Sequence, residues 1–188
     1  MITKIFSNYY NGENTYLLYD EETKNAVVID PGFSGPEFDE FVSENNINLK
    51  YILLTHCHYD HISALPGLKE AYSLKTVCGE VCEKNLRNTD VNLTVSGLGY
   101  EICEYADVVL LDNEEFCLDG IRLKCIYTPG HTSGSVCYLA GDKLFSGDTL
   151  FFRSVGRSDL PTGNQEMLEN SIRNRLFCLD DNTEVFPG

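Results

Sequence analysis

Tyr51-Ile52-Leu53-Leu54-Thr55-His56-Cys57-His58-Tyr59-Asp60-His61 decides the reading of this chain. Its first four residues are an unbroken apolar run, short enough for a buried strand. Four chemically competent side chains then follow within six residues. Alternate residues of an extended segment point to the same face, so His56 and His58 can share one metal ion. Asp60 and His61, one turn onward, can aim at a neighbouring position. Neutral imidazole together with carboxylate suits zinc, iron or manganese. A lone histidine is usually a surface or satisfied core residue. Three histidines and an aspartate this close together are hard to explain as structure. The same alternation turns Cys57 away from His56 and His58, which makes it a packing residue rather than a nucleophile.

The chain's fourth histidine is His131, in Thr128-Pro129-Gly130-His131-Thr132. Pro-Gly ends a strand there and leaves His131 on the loop beyond it. Asp148, in Ser146-Gly147-Asp148-Thr149, occupies the same kind of place after the strand 143–145. By itself that aspartate would be weak, because Gly-Asp also makes turns. All four histidines therefore fall in two strand-end loops.

Outward from these loops, strand signals are dense and short. They cover 2–6, 15–19, 26–29, 51–54 and 76–78, then 108–111, 115–118, 121–127, 135–139, 143–145 and 185–186. Phe38, Phe41 and Val42 give 36–46 helical spacing, and helices are expected near 62–72, interrupted at Pro66-Gly67, and at 80–87. Met167, Leu168, Ile172 and Leu176 mark a helix over 164–177, whereas 88–107 is poorly patterned. Helices and hairpin-linked strands mix in both halves, which predicts an α/β sandwich rather than a doubly wound parallel sheet.

The chain has 188 residues, 43% hydrophobic and 23% charged, an ordinary single-domain composition. Its 29 acidic and 14 basic residues give a net charge of −15, which disfavours a phosphate backbone as partner. No run approaches the roughly 18 apolar residues of a membrane span. The start, Met1-Ile2-Thr3-Lys4-Ile5-Phe6, turns polar too quickly for a signal peptide. The eight cysteines, most of them in apolar stretches, are expected to be reduced in a cytoplasmic protein. Cys78 and Cys82 read as core, since no second pair follows at zinc-site spacing.

His56-x-His58-x-Asp60-His61, then Pro129-Gly130-His131-Thr132-x-Gly134-Ser135, then Ser146-Gly147-Asp148, resembles the metallo-β-lactamase superfamily of hydrolases. Asn14-Thr15-Tyr16 and Val28-Ile29-Asp30-Pro31-Gly32 are similar to that family's first strands. The resemblance implies a four-layer αβ/βα sandwich with the metals at the sheet edge. It implies one domain over 1–188, with the family's C-terminal end missing. Asp148, where many true β-lactamases carry cysteine, and Gly156-Arg157-Ser158-Asp159 point to the short glyoxalase II-like branch, the hydroxyacylglutathione hydrolases.

By that resemblance His56, His58 and His131 bind a first metal, Asp60 and His61 a second, and Asp148 bridges the two. The family's further histidine on the second metal would follow Pro187-Gly188. The expected cofactor is zinc, one or two ions, with iron or manganese as alternatives. A metal-bound hydroxide, oriented by Asp60, is expected to attack a small-molecule thioester or ester. Arg153 and Arg157 either hold an anionic substrate or, for Arg157, pair with Asp159. Two other readings stand beside the hydrolase. One is a persulfide dioxygenase-like enzyme with one iron on His56, His131 and Asp148. The other is a truncated form with an incomplete second metal site.

Overall fold

The computed structural model describes residues 1–188. The chain begins with β1 (Ile2–Ser7), β2 (Asn14–Tyr19) and β3 (Asn25–Ile29), then α1 (Pro36–Glu44) and β4 (Asn48–Leu54). There follow α2 (Tyr59–Ile62), α3 (Leu65–Tyr72), β5 (Lys75–Gly79), α4 (Glu80–Leu86), α5 (Thr89–Asn92), α6 (Thr94–Leu98) and β6 (Val108–Leu110). The second half holds β7 (Glu115–Leu118), β8 (Ile121–Tyr127), β9 (Val136–Ala140), β10 (Lys143–Gly147), β11 (Leu150–Phe151) and β12 (Ser154–Val155). It closes with α7 (Gln165–Ser171), a π turn over Ile172–Leu176, and β13 (Glu184–Pro187).

Strands β1 to β6 form one sheet in chain order, and β13-β10-β9-β8-β7 form the second. Strict alternation along each strand builds the layers. Tyr16, Leu18, Val27, Ile29 and Leu53 point inward. They pack on Leu123, Cys125, Val136, Tyr138 and Phe145 of the other sheet. Their neighbours Leu17, Tyr19, Val28, Ile52 and Leu54 point outward, under Phe38 and Val42 of α1 and Leu65 and Leu68 of α3. On the far side Ile126, Cys137 and Leu144 lie beneath Leu168, Ile172 and Leu176. The result is the expected helix–sheet–sheet–helix sandwich. Two buried faces explain why these strands read as continuous apolar runs.

Two helices differ from expectation. The break in 62–72 falls at Ser63 and Ala64, and Pro66 lies in the first turn of α3. A proline at that place costs no hydrogen bond, because the amide it lacks has no helical partner anyway. The helix over 164–177 passes into the π turn after Ser171. The poorly patterned 88–107 contains α5 and α6, tied down by the buried Asn92 side chain. Its amide donates to the carbonyls of Leu86 and Ile102, both at 2.9 Å. Nothing in the sequence signalled the β11–β12 hairpin, two residues per strand. All eight cysteines are free and five are buried, Cys78 and Cys82 in the core beneath α1 and α3. No helix is long and apolar enough to cross a membrane.

Direction places the loops. Strand β3 runs parallel to β4, with Ile29 beside Leu53, so Asp30 and Thr55 emerge at one edge. Strands β8 and β10 are both antiparallel to β9, and β13 is parallel to β10. Their C-terminal ends therefore meet at the matching edge of the second sheet. Leu53 fills the space between the sheets and is fully buried. Leu53→Ala should cost about 2–5 kcal/mol, read as a lower urea midpoint at unchanged slope. A change near zero would contradict this packing.

Candidate metal centre

Beyond β4 the chain stays extended through His58, then turns into α2. Asp30 holds this segment. Its carboxylate accepts the Thr55 backbone N–H at 2.7 Å, the Thr55 hydroxyl at 2.5 Å and His61 Nδ1–H at 3.1 Å. Asp30 sits in the left-handed region at φ 48° and is 2% exposed. Gly147 also belongs to this arrangement. Its φ is 48°, and a Cβ there would stand 2.2 Å from Thr55 Oγ1.

Hydrogen bonds set the tautomers of His56 and His131. The Thr55 hydroxyl gives its proton to Asp30, so it accepts from His56 Nδ1 at 3.1 Å. His56 Nε2 then keeps a free lone pair, and this buried atom has no partner in the protein. His131 Nδ1–H donates to the Arg157 carbonyl at 2.7 Å, which leaves His131 Nε2 unprotonated. That atom faces His58 Nδ1 at 2.9 Å. The donor atoms of His56, His58 and His131 all lie within 4.8 Å of one another, and each residue is at most 3% exposed. Without a cation the His58–His131 contact is a hydrogen bond from His58 Nδ1–H, and His58 Nε2 joins His56 Nε2 as a buried nitrogen with no partner, a costly arrangement. A cation among the three rings would take the His58 Nδ1 and His131 Nε2 lone pairs in place of the shared proton. This donor set fits a divalent metal of the zinc type.

His61 and Asp148 stand beside the trio. Asp148 Oδ1 is 3.3 Å from His61 Nε2, and its Oδ2 is 3.4 Å from His131 Nε2. One carboxylate thus touches both His61 and His131. Asp60, His61 and Asp148 share the wall of a cavity of about 130 Å³ with Glu13, Phe151 and Gly188. Gly188 lies against this position. A Cβ on it would be 2.5 Å from Asp148 Oδ1 and 2.6 Å from His61 Cε1. Arg157 instead grips Asp159 through two bonds of 2.7 Å on the surface. Arg153 lies in the β11–β12 turn at φ 58° and is exposed.

The six ligand candidates stand out in the sequence, whereas Asp30, Thr55 and Glu13 do not. The signal for Asp30 was an acid directly after the buried strand 26–29. In isolation it resembles any strand-ending turn. Cys57 lies in the core beneath the helices, as alternation requires.

Burial, then the neighbouring imidazoles, push His56 well below its ordinary pKa and His58 down to about 3. Burial lowers His131 too. Burial also opposes the charge on His61, but Asp148 and Asp30 outweigh it and raise that residue. Burial works against ionised Asp148 as well, yet His61 holds it down to about 2. Three neutral imidazoles are the state a cation requires. The metal-free protein should therefore lose stability as pH falls from about 6.5, where unfolded histidine takes up protons, toward about 3, where His58 does. Asp148 acts in the same direction at lower pH. The His61 contribution is fully present and constant below about 6.5. Glu13, which burial pushes up to about 8, works the other way and adds stability as pH falls to about 4.5, so the net loss is steepest between about 4.5 and 3. Urea unfolding of chelated protein across this range checks it, and unchanged stability between the two limits would contradict it.

The model of the family described as "Metallo-beta-lactamase superfamily" matches residues 10–186. The chain is 35% identical over 180 residues to "Probable metallo-hydrolase YqgX" of Bacillus subtilis, covering 93% of this chain and 83% of that one. It is 31% identical over 191 residues to "Hydroxyacylglutathione hydrolase GloC" of Haemophilus influenzae, covering 94% and 84%. Among solved structures it resembles the BLEG-1 B3 metallo-β-lactamase, at 30% identity and a TM-score of 0.91, over 100% of this chain and 91% of that one.

Proposed function

The chain belongs to the metallo-β-lactamase superfamily, and on that premise we propose that it is a zinc-dependent thioesterase of the hydroxyacylglutathione hydrolase type. The observation that carries the hydrolase reading is the buried convergence of His56 Nε2, His58 Nδ1 and His131 Nε2. The relative whose name specifies a hydroxyacylglutathione supports the thioester. No side-chain nucleophile is needed in this reading, which agrees with Cys57 being turned into the core.

His56, His58 and His131 would hold a first ion and Asp60 and His61 a second, with Asp148 placed between the two groups. A bound divalent ion supplies Lewis acidity, lowering the pKa of water from about 16 toward 7 and stabilising charge on a carbonyl oxygen. The chain's own residues do the rest. Asp30 and the Arg157 carbonyl keep the ring protons on the Nδ1 atoms of His61 and His131, so that their Nε2 atoms remain donors. The Asp60 carboxylate, on the cavity wall, orients the attacking water and takes its proton. Arg153 and Arg157 stand on the surface near the β11–β12 hairpin as candidate contacts for an anionic thiol part. Arg157 would have to share its guanidinium with Asp159.

Thiol release from a panel of acyl thioesters, with metal analysis of protein purified without added metal, tests the proposal. Zinc and thioester cleavage are expected. One iron per chain, oxygen consumption on a persulfide and no thioester cleavage would overturn it. His58→Ala should weaken the first ion and lower kcat/KM by more than the roughly 10–100-fold lost when only a ligand's supporting group changes. Unchanged metal content in that variant would refute the ligand assignment.

A further inference from the structure

Between the β11–β12 hairpin and α7 the chain runs through Gly156-Arg157-Ser158-Asp159-Leu160-Pro161-Thr162-Gly163 without helix or strand. This stretch is fastened to the His131 loop at three points. The Arg157 carbonyl accepts His131 Nδ1–H at 2.7 Å. The Thr162 hydroxyl accepts the Ser133 N–H at 3.1 Å. Just beyond Gly163, the Asn164 N–H donates to the Gly130 carbonyl at 2.8 Å. One strap thus holds Gly130, His131 and Ser133. It is folded tightly on itself. The Gly163 N–H donates to the Leu160 carbonyl at 2.8 Å, and a Cβ on Gly163 would stand 2.4 Å from the Ser158 carbonyl oxygen.

Two features bring the Arg157 carbonyl to the ring. The first is Gly156, at the closest approach. A Cβ there would fall 1.8 Å from the Asp148 carbonyl oxygen and 3.3 Å from His131 Nδ1. The nearer obstacle is main chain, so no rotamer change relieves it. Any larger residue must push the strap off Asp148 or His131. The second feature is the Arg157 side chain. Its Nε and Nη2 donate to the two carboxylate oxygens of Asp159, both at 2.7 Å. A guanidinium fork on a carboxylate fixes orientation as well as distance. It closes a turn across Ser158, directly after the carbonyl that holds His131. Both side chains are more than half exposed, so the pair adds little to the stability of the fold. Its effect is local: it restricts the backbone that presents the carbonyl.

We propose that Gly156 and the Arg157–Asp159 pair are positioning residues for His131: the glycine admits the strap, and the ion pair clasps it so that the Arg157 carbonyl fixes the ring. This rests on the reading in which His131 binds the first ion. An acceptor on the far nitrogen of a ligating histidine sets the ring's tautomer and orientation and raises its basicity. The clasp also gives the Arg157 guanidinium a task other than holding substrate, and the two tasks differ in what they require of Asp159. If Arg157 is a substrate contact, removing the Asp159 charge releases it and lowers the KM for an anionic thioester. If Arg157 is half of a clasp, the same change loosens His131.

Zinc affinity, measured by competition with a chromophoric chelator, tests the proposal, together with NMR of the solvent exchange of His131 Nδ1–H in the metal-free protein. Asp159→Asn and Arg157→Gln should each weaken the first equivalent of Zn²⁺ by about twofold to fivefold, the range an exposed pair can supply. The double variant should lose no more than either alone. Arg157→Lys keeps the charge without the fork and should retain part of the affinity. Exchange of the His131 proton should quicken in Asp159→Asn and Arg157→Gln, while the melting temperature stays within about 4 °C of the parent. Gly156→Ala should weaken the first equivalent at least about tenfold, and if it does not fold the ion-pair variants carry the test. Unchanged zinc affinity and proton exchange in Asp159→Asn overturn the clasp, and a lower KM there would assign Arg157 to substrate. A parent that takes up no zinc overturns the first-ion reading and this inference with it.

Discussion

The carboxylate of Asp30 is the contact on which the rest of this site depends. It closes the end of β3, binds Thr55 at the end of β4 through both backbone and hydroxyl, and receives the ring proton of His61. Because the Thr55 hydroxyl is committed to Asp30, it also determines the tautomer of His56. One buried anion thus aligns two strand ends and points two imidazoles. It is tolerable in the interior because its acceptor capacity is largely used. A hydrogen-bonded carboxylate behind a ligating histidine is a common way to fix ring orientation and raise basicity.

The architecture brings the remaining ligand candidates to that carboxylate. Parallel pairing of β3 with β4, and of β10 with β13, sends their C-terminal ends to one rim. In open α/β sheets such rims are where ligands bind. His131 after β8 and Asp148 after β10 arrive from the second sheet, His56 to His61 from the first. The centre is therefore made at the junction of the two halves, and neither half holds a full donor set alone. The chain as a whole is strongly acidic, with a formal charge of −15. Within the centre, three neutral imidazoles lie beside an oxygen-rich cavity, an electrostatic setting that welcomes a divalent cation.

Much of this was legible in the sequence, for identifiable reasons. Runs such as Ala26-Val27-Val28-Ile29 and Tyr51-Ile52-Leu53-Leu54 announced strands buried on both faces, since only a sheet covered on both sides needs them. The ligand candidates were legible because histidine is scarce here and concentrated in two loops. Residues that act through others were harder to see. Asp30 looks like a turn former, and Glu13 sits in a polar hairpin, Asn11-Gly12-Glu13-Asn14, where an acid is ordinarily solvated. Only three-dimensional placement shows that both are buried and face the same histidine-bearing edge. The β11–β12 hairpin left no pattern because two residues per strand carry no periodicity. Pro66-Gly67 was read as an interruption when the helix in fact begins there.

In the proposed centre His56, His58 and His131 are pre-arranged around one divalent ion, supported from behind by Thr55 and the Arg157 carbonyl. Anomalous X-ray diffraction from crystals of the protein as purified, measured on both sides of the zinc edge, tests it most directly. A zinc peak is expected, bonded to His56 Nε2, His58 Nδ1 and His131 Nε2 at about 2.0–2.1 Å, with the Nδ1 contacts of His56 and His131 unchanged. A peak held elsewhere, or an occupied centre in which these rings have turned away from Thr55 and Arg157, would contradict it.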